Sequence, residues 1–181
     1  MGAPHAAALA AVLALAGACA ASGGGGASSA ASVSARATDF TGRDIDGKTV
    51  RLSDYLGKQA ILIDFAATWC TPCLAEIPHL RRIYEKERAR GFVVLVVAMD
   101  GSETVAEVPA WARRNALTFP VVTDEDSQIA SLYNPKKSAP LTVLIDKAGK
   151  IVYVHDGYNP GDEVALEEHV AHVLDPAPAK N

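Results

Sequence analysis

The stretch AILIDFAATWCTPCLAEIPHL, residues 60–80, decides the fold, because its hydrophobic pattern changes partway along. Residues 60–65 form a short, continuous apolar run, which is typical of a β-strand covered on both faces. From Thr71 the apolar residues recur at helical spacing until Gly91 ends the pattern. A second apolar run, FVVLVVAM, occupies residues 92–99. The order strand, helix, strand predicts parallel pairing with a right-handed crossover, and hence an α/β core.

Shorter patterns on both sides predict the rest of the domain. Residues 37–52 read as a β-hairpin that turns at Asp46-Gly47. Downstream we expect a helix over 104–115, a short strand near 120–122, a helix over 126–133 capped by Asp126, a β-hairpin turning at 147–150, and a last helix over 163–174. The predicted divisions are a signal over 1–19, a linker over 20–36, the folded domain over 37–175 and a tail over 176–181.

Composition and charge limit the classes of function. The chain has 181 residues, of which 49% are hydrophobic and 21% charged, so it can bury one full core. The net charge is −4, and the Lys and Arg residues are spread along the sequence without forming a block. This distribution gives no electrostatic surface for nucleic acid. We expect a single-domain monomer with no nucleic-acid partner.

The N-terminal segment has the pattern of an export signal. Residues 6–18 are apolar and too short to span a bilayer, but they suit the core of a secretory signal. The sequence LAGAC, ending at Cys19, resembles a bacterial lipobox, and we favour lipidation of Cys19 with residues 20–36 as a Gly/Ser/Ala-rich tether. The alternative is ordinary signal cleavage that discards Cys19. Either way we expect an extracytoplasmic, periplasmic protein, whose only membrane attachment would be the lipid.

Two cysteines, Cys70 and Cys73, remain in the predicted domain and are separated by two residues. A disulfide across so small a loop restricts the unfolded chain little, so redox chemistry or metal binding must explain the pair. Zinc requires four ligands, and only His79 lies nearby, so we expect no metal. At a helix N-terminus the backbone N–H groups favour a thiolate at Cys70, and Cys73 follows one turn later to resolve a mixed disulfide.

The residues around the cysteine pair resemble a known family. The stretch DFAATWCTPC resembles the active-site segment of thioredoxins, and WCTPCLAEIP resembles the TlpA/ResA-type extracytoplasmic branch; the likeness covers residues 38–174. It implies a thioredoxin-like α/β fold, with a mixed central sheet flanked by helices, an N-terminal hairpin and an inserted helix. It also implies a protein thiol–disulfide oxidoreductase, acting as a reductant in cytochrome c maturation or thiol maintenance, with the Cys70–Cys73 disulfide and no other cofactor. Its partners would be protein thiols or disulfides and a membrane or periplasmic electron donor.

The resemblance also assigns roles to individual residues. Pro140 matches the cis-proline of the family, whose neighbouring backbone binds an extended partner segment. Asp64 matches the buried acid of thioredoxins, and Glu76 the acid typical of the TlpA/ResA branch, so this chain has two candidate proton shuttles, of which we favour Glu76. The predicted substrate contacts are Trp69, Thr71, Pro72, Ala139 and Pro140.

Two other functions remain open from the sequence. A peroxiredoxin-like thiol peroxidase would use Cys70 with Thr68 before it, but DFAAT lacks the proline-bearing loop that this family places ahead of the threonine. A copper-binding or copper-delivery module would use the cysteine pair without catalysis. Related copper proteins have C-x-x-x-C and a distant histidine, and the spacing here is one residue shorter.

Overall fold

A seven-stranded mixed sheet forms the centre of the computed structural model, which describes residue 2 and residues 35–175. The strands are β1 Thr41–Asp44, β2 Thr49–Arg51, β3 Ala60–Ala66, β4 Phe92–Ala98, β5 Val121–Thr123, β6 Leu141–Ile145 and β7 Ile151–Asp156. The helices are α1 Thr71–Glu87, α2 Val108–Arg114, α3 Gln128–Tyr133 and α4 Asp162–Leu174. In the sheet the strand order is β2-β1-β5-β4-β3-β6-β7.

The pairing follows the order predicted from the sequence. Strands β3 and β4, joined by α1, are parallel, and β5 continues the parallel part beside β4. The N-terminal hairpin β1–β2 adds antiparallel strands beside β5, and the hairpin β6–β7 adds antiparallel strands beside β3. The predicted α/β class with a mixed sheet flanked by helices is therefore confirmed.

Two helix starts differ from the prediction. A 3-10 turn over Val105–Glu107 precedes α2, which begins at Val108 because Pro109 is tolerated only in the first turn of an α-helix. The prediction that Asp126 caps α3 is wrong. The carboxylate of Asp124 accepts the backbone N–H groups of Ile129 at 2.9 Å and Ala130 at 2.8 Å. Asp124 is buried, so its charge requires such donors.

The sheet separates two hydrophobic layers. The layer that contains Cys70 and Cys73, called here the cysteine face, also holds apolar residues of α1, α2 and α4. The opposite face packs against α3 and the N-terminal hairpin. Strand β3 is buried on both sides and alternates between them, so Asp64 lies on the cysteine face between Leu62 and Ala66.

The continuous part of the described structure begins slightly before the predicted domain and ends with it, at residue 175. Ala35 and Arg36, placed by the prediction in the linker, lie along the β6–β7 hairpin, where the Ala35 carbonyl accepts the N–H of Ile151 at 2.9 Å. Apart from residue 2, the predicted signal, Cys19, the rest of the linker and the tail over 176–181 lie outside the described residues. Within those described, no helix combines the length and apolar character needed to cross a bilayer.

Candidate active site

The two cysteines form a disulfide at the N-terminus of α1. Cys70 is the N-cap residue, with extended backbone, and its Sγ accepts the Cys73 N–H at 3.2 Å. Pro72 lies in the first turn, where its missing N–H removes no helical hydrogen bond. The unpaired N–H groups and the helix dipole at this end favour negative charge on the Cys70 sulfur once the disulfide is reduced.

The residues at the disulfide differ widely in solvent exposure. Both sulfur-bearing side chains are almost fully buried, whereas Trp69 is 62% exposed, and Thr71 and Pro72 are also exposed. An exposed tryptophan beside a buried disulfide provides apolar area for a partner protein. Trp69, Thr71 and Pro72 are thus accessible to a partner, and their contact with substrate stays a prediction.

The predicted cis-proline has that geometry, since the Ala139–Pro140 peptide bond is cis. It directly precedes β6, whose first residue, Leu141, pairs with Phe65 near the end of β3. Ala139 packs against the core layer that contains both cysteines. The segment therefore lies beside the strand end from which the cysteine loop departs.

Asn134 fixes this segment and was missed by the sequence analysis. Its side-chain amide donates to the Ser138 carbonyl at 2.7 Å, and its Oδ1 accepts the Ser138 N–H at 2.9 Å. The side chain is buried, so these two bonds satisfy polar atoms that would otherwise lack partners. The available signal was an asparagine at the end of a predicted helix, a few residues before a proline.

Asp100 holds the loop that leads to Cys70, and it too was missed. Its carboxylate, fully buried, accepts the Thr68 N–H at 3.0 Å and the Thr68 hydroxyl at 2.5 Å. Asp100 follows β4, and the carboxyl ends of parallel strands meet at one edge of a sheet. An acid at the end of FVVLVVAMD was the signal that could have identified it. Thr68, the residue of interest for a peroxidase, is engaged by this carboxylate.

The two predicted acids, Asp64 and Glu76, both lie in the interior. Asp64 is 1% exposed and Glu76 is 4% exposed. Glu76 follows Cys73 by one helical turn on α1, and its Oε1 accepts the hydroxyl of Thr142 at 3.0 Å. Among the described residues, Asp64 Oδ1 and Glu76 Oε2 have no hydrogen-bond partner. The structure thus brings both acids to the cysteine face.

The interior position alters how these acids titrate. Burial raises the pKa of Asp64 well above its usual value, and the nearby Glu76 charge raises it further. Burial raises the pKa of Glu76 to about 7, while the Thr142 hydroxyl and His155 act in the lowering direction. A carboxyl group with a pKa near 7 can both accept and release a proton at neutral pH.

No group of three or more His, Cys, Asp or Glu side chains in the described part of the chain is arranged to hold a metal ion. The Cys70–Cys73 pair itself can form and break a disulfide reversibly. On this fold, such a pair at the start of the first long helix defines a thioredoxin-like thiol–disulfide oxidoreductase.

Comparison with known proteins gives the family. The chain belongs to the AhpC/TSA family, whose sequence profile matches residues 33–154. ResA of Geobacillus kaustophilus, a thiol–disulfide oxidoreductase, is 34% identical over 139 residues, covering 77% of this chain and 76% of that protein. ResA of Geobacillus thermodenitrificans is 36% identical over 126 residues, or 70% of each chain.

Solved structures agree with these relatives. A candidate thiol:disulfide interchange protein DsbE from Chlorobium tepidum matches with a TM-score of 0.71 and 32% identity, over 77% of this chain and 95% of that one. A candidate protein disulfide isomerase from Bacteroides thetaiotaomicron matches with a TM-score of 0.71 and 28% identity, over 78% and 89%. The resemblance read from the active-site stretch, and the thioredoxin-like fold, are confirmed.

Proposed function

We propose that this oxidoreductase reduces disulfides of protein substrates outside the cytoplasm, in cytochrome c maturation or in thiol maintenance. The observation that carries the proposal is the Cys70–Cys73 disulfide on the same face of the sheet as two buried carboxyl groups. The cysteine pair supplies the redox chemistry, and the acids supply a place for the proton.

The reaction begins with the reduced protein. The Cys70 thiolate attacks one sulfur of the substrate disulfide, forms a mixed disulfide, and releases the other substrate sulfur as a thiolate that takes a proton from solvent. The Cys73 thiol gives its proton to Glu76, and its sulfur then attacks Cys70, which releases the second substrate sulfur as a thiolate that also takes a proton from solvent. Two electrons have passed to the substrate, and an electron donor must return two electrons, with one proton, to restore the Cys70 thiolate and the Cys73 thiol.

The buried acids favour the reducing direction. Dithiol proteins become strong oxidants when their reduced form is stabilised, as by a strongly acidified cysteine. Negative charge on Asp64 or Glu76 opposes ionisation of the nearby thiols and so limits that stabilisation. We therefore expect a reduction potential between about −220 and −300 mV, closer to that of thioredoxin than to that of DsbA.

Two parts of the molecule support a role outside the cytoplasm with protein partners. The apolar stretch over residues 6–18 has the character of an export signal, and Cys19 is the candidate site of a lipid anchor. Exposed Trp69 and the backbone beside Pro140 offer a surface for an extended protein segment. A membrane or periplasmic dithiol protein would then serve as the electron donor.

Two measurements test the proposal. Equilibration with glutathione or dithiothreitol buffers gives the potential, and a value near about −120 mV would overturn the reducing direction. Expression of Cys73→Ser in the native cell should trap substrates as mixed disulfides on Cys70, which mass spectrometry then identifies. The matched control, Cys70→Ser, should trap none. Equal trapping by both variants would contradict the assigned order of attack.

A further inference from the structure

A row of polar side chains crosses the cysteine face of the sheet. Asp64 on β3 is paired with Thr142 on β6, and Thr142 is paired with His155 on β7. Residues directly opposite each other in antiparallel strands point to the same face, so the three side chains share one side of the sheet. Asp64 and Thr142 are buried, whereas the His155 side chain is 32% exposed. The row therefore runs from the protein interior to solvent.

A small cavity joins Glu76 to the outer end of this row. Its volume is about 10 Å³, close to what a single water molecule needs. Glu76, Thr142, Tyr153 and His155 are among the residues that line it. Glu76 is almost fully buried, and its Oε2 has no hydrogen-bond partner among the described residues. A water here would find the two or more polar partners that a buried water requires.

His155 is held in one orientation. Its Nε2 lies 2.9 Å from Oδ2 of Asp162, the first residue of α4. The Asp162 carboxylate also accepts the Asn159 N–H at 2.8 Å. An ionised carboxylate only accepts hydrogen bonds, so this contact places the hydrogen on Nε2 and leaves Nδ1 to take up a further proton.

We propose that His155, oriented by Asp162, relays protons between Glu76 and solvent through a water in this cavity. The inference rests on the proposed function, in which Glu76 takes the proton from Cys73. The cavity water then takes that proton from Glu76 Oε2 and gives one to His155 Nδ1, which releases a proton to solvent. No electrons move, and the path runs in reverse when the disulfide is reduced again. His155 acts on the reaction through Glu76 and is therefore a positioning residue.

Other ionisable groups also face Glu76, and the experiment must distinguish their effects from that of His155. They come from each packed element: Asp64 on β3, His79 on α1, Tyr153 on β7, Tyr158 in the following loop, and Asp162 and Glu163 on α4. His79 is the competing candidate for the relay, because it lines the same cavity. Its Nδ1 lies 4.0 Å from a Glu163 carboxylate oxygen, which is too far for a hydrogen bond that would orient the ring. His79 also lies on α1 and is not part of the row of side chains across the sheet. His155 and Glu76 line the same cavity, and His155 also acts to lower the pKa of Glu76.

The test is a single-turnover measurement of mixed-disulfide resolution, using the reduced full-length protein and a peptide disulfide at pH 6 to 9. The variant His155→Gln keeps a hydrogen-bonding side chain but cannot carry a proton. We expect resolution to slow about tenfold at pH 6 to 7, with the difference narrowing toward pH 9 as hydroxide replaces the relay. The control His172→Gln removes an exposed histidine of α4 and should match the wild type.

A second variant distinguishes proton transfer from a structural role. In His155→Ala, added imidazole should restore at least half of the lost rate, because a small base can occupy the vacated space. A wild-type rate for His155→Gln at pH 6 to 7, a loss confined to His79→Gln, or no rescue by imidazole would each overturn the relay. If the wild-type protein exchanges no disulfide at all, the proposed function fails, which is a different outcome from an active protein without the relay.

Discussion

The two faces of β3 show how one strand serves two purposes. Toward α3 and the N-terminal hairpin it presents Ile61, Ile63 and Phe65, which are fully buried and entirely apolar. Toward α1 it presents Leu62 and Ala66 and, between them, the acid Asp64. The backbone and the register are the same for both faces, so the difference lies in the side chains alone.

This difference places the single ionisable side chain of β3, Asp64, on the cysteine face. Apolar burial on the opposite face contributes free energy of folding at every pH. On the cysteine face, the buried carboxyl groups of Asp64 and Glu76 oppose folding whenever they are charged. In the proposed mechanism Glu76 is kept at this cost in stability because a carboxyl group with a pKa of about 7 can take up a proton from Cys73 near neutral pH.

The largest expected effect is on turnover and lies on the cysteine face. Cys70→Ser removes the attacking sulfur, so disulfide reduction by the protein should fall to the uncatalysed background. An insulin or peptide-disulfide reduction assay measures this. Serine is close in size to cysteine, so thermal unfolding compared with the reduced wild type provides the structural control. Retained turnover in a correctly folded Cys70→Ser protein would contradict the assignment.

The largest expected effect on stability lies on the opposite face. Ile63→Ala leaves a cavity among fully buried side chains and should destabilise the fold by about 2 to 5 kcal/mol. Because no ionisable group is removed, the loss should be the same at pH 5 and pH 8. Urea unfolding at both pH values checks this, and the folded fraction should keep wild-type disulfide exchange. A loss of unfolding free energy that depends strongly on pH would contradict the proposed difference between the two faces of β3.

Glu76→Gln should change stability in the opposite direction. The folded-state pKa of about 7 lies above the ordinary value of 4.5, so the protonated acid is the form compatible with folding. That contribution is complete below pH 4.5 and is lost as pH rises through 7. Glutamine mimics the protonated form, so the variant should be more stable than the wild type by about 2 to 3 kcal/mol at pH 8.5, with little difference at pH 4.

Urea unfolding of the oxidised proteins measures the effect, and Glu103→Gln, which alters an exposed acid, is the matched control. In the same variant the resolution of mixed disulfides should slow, because the proton acceptor is gone. A Glu76→Gln protein less stable than the wild type at pH 8.5 would show that the buried carboxylate is well compensated, contrary to this account.

The smallest expected effect is at Thr142. Thr142→Val keeps the shape of the side chain and removes the hydroxyl that donates to Glu76. Since a hydrogen bond to a charged acceptor is worth about 1.5 to 3 kcal/mol and a neutral one about 1 kcal/mol, the variant should lose more stability at pH 8.5 than at pH 4. The pKa of Glu76 should rise, which carbon-detected NMR of the labelled carboxyl group can follow. An unchanged pKa of Glu76 would show that the Thr142 hydroxyl does not influence the titration of this acid.

Much of the fold could be predicted because its signals are local. The apolar runs at β3 and β4, and the cysteines at the start of α1, are written within short windows of sequence. The 3-10 turn before α2 and the capping of α3 by Asp124 depend on competition among neighbouring turns and acids, so the predicted boundaries shifted there.

The unpredicted parts of the site are contacts between residues far apart in the chain. Asp100 reaches Thr68 across 32 positions, and Thr142 reaches Glu76 across 66. Residue type alone does not reveal such pairs, because an acid after a strand or a threonine within one is more often ordinary surface or packing. The sequence around His155 contains no motif that marks it, and only the register between β6 and β7 places it in line with Asp64.

The most direct test of the account asks which cysteine reacts first. The reduced protein is treated with limiting iodoacetamide at pH 7, and the labelled residue is located by peptide mass mapping. Because Cys70 is the N-cap of α1, where the helix N-terminus stabilises a thiolate, and Cys73 lies one turn further along the helix, a single label on Cys70 is the predicted result. First or equal labelling of Cys73 would contradict the account.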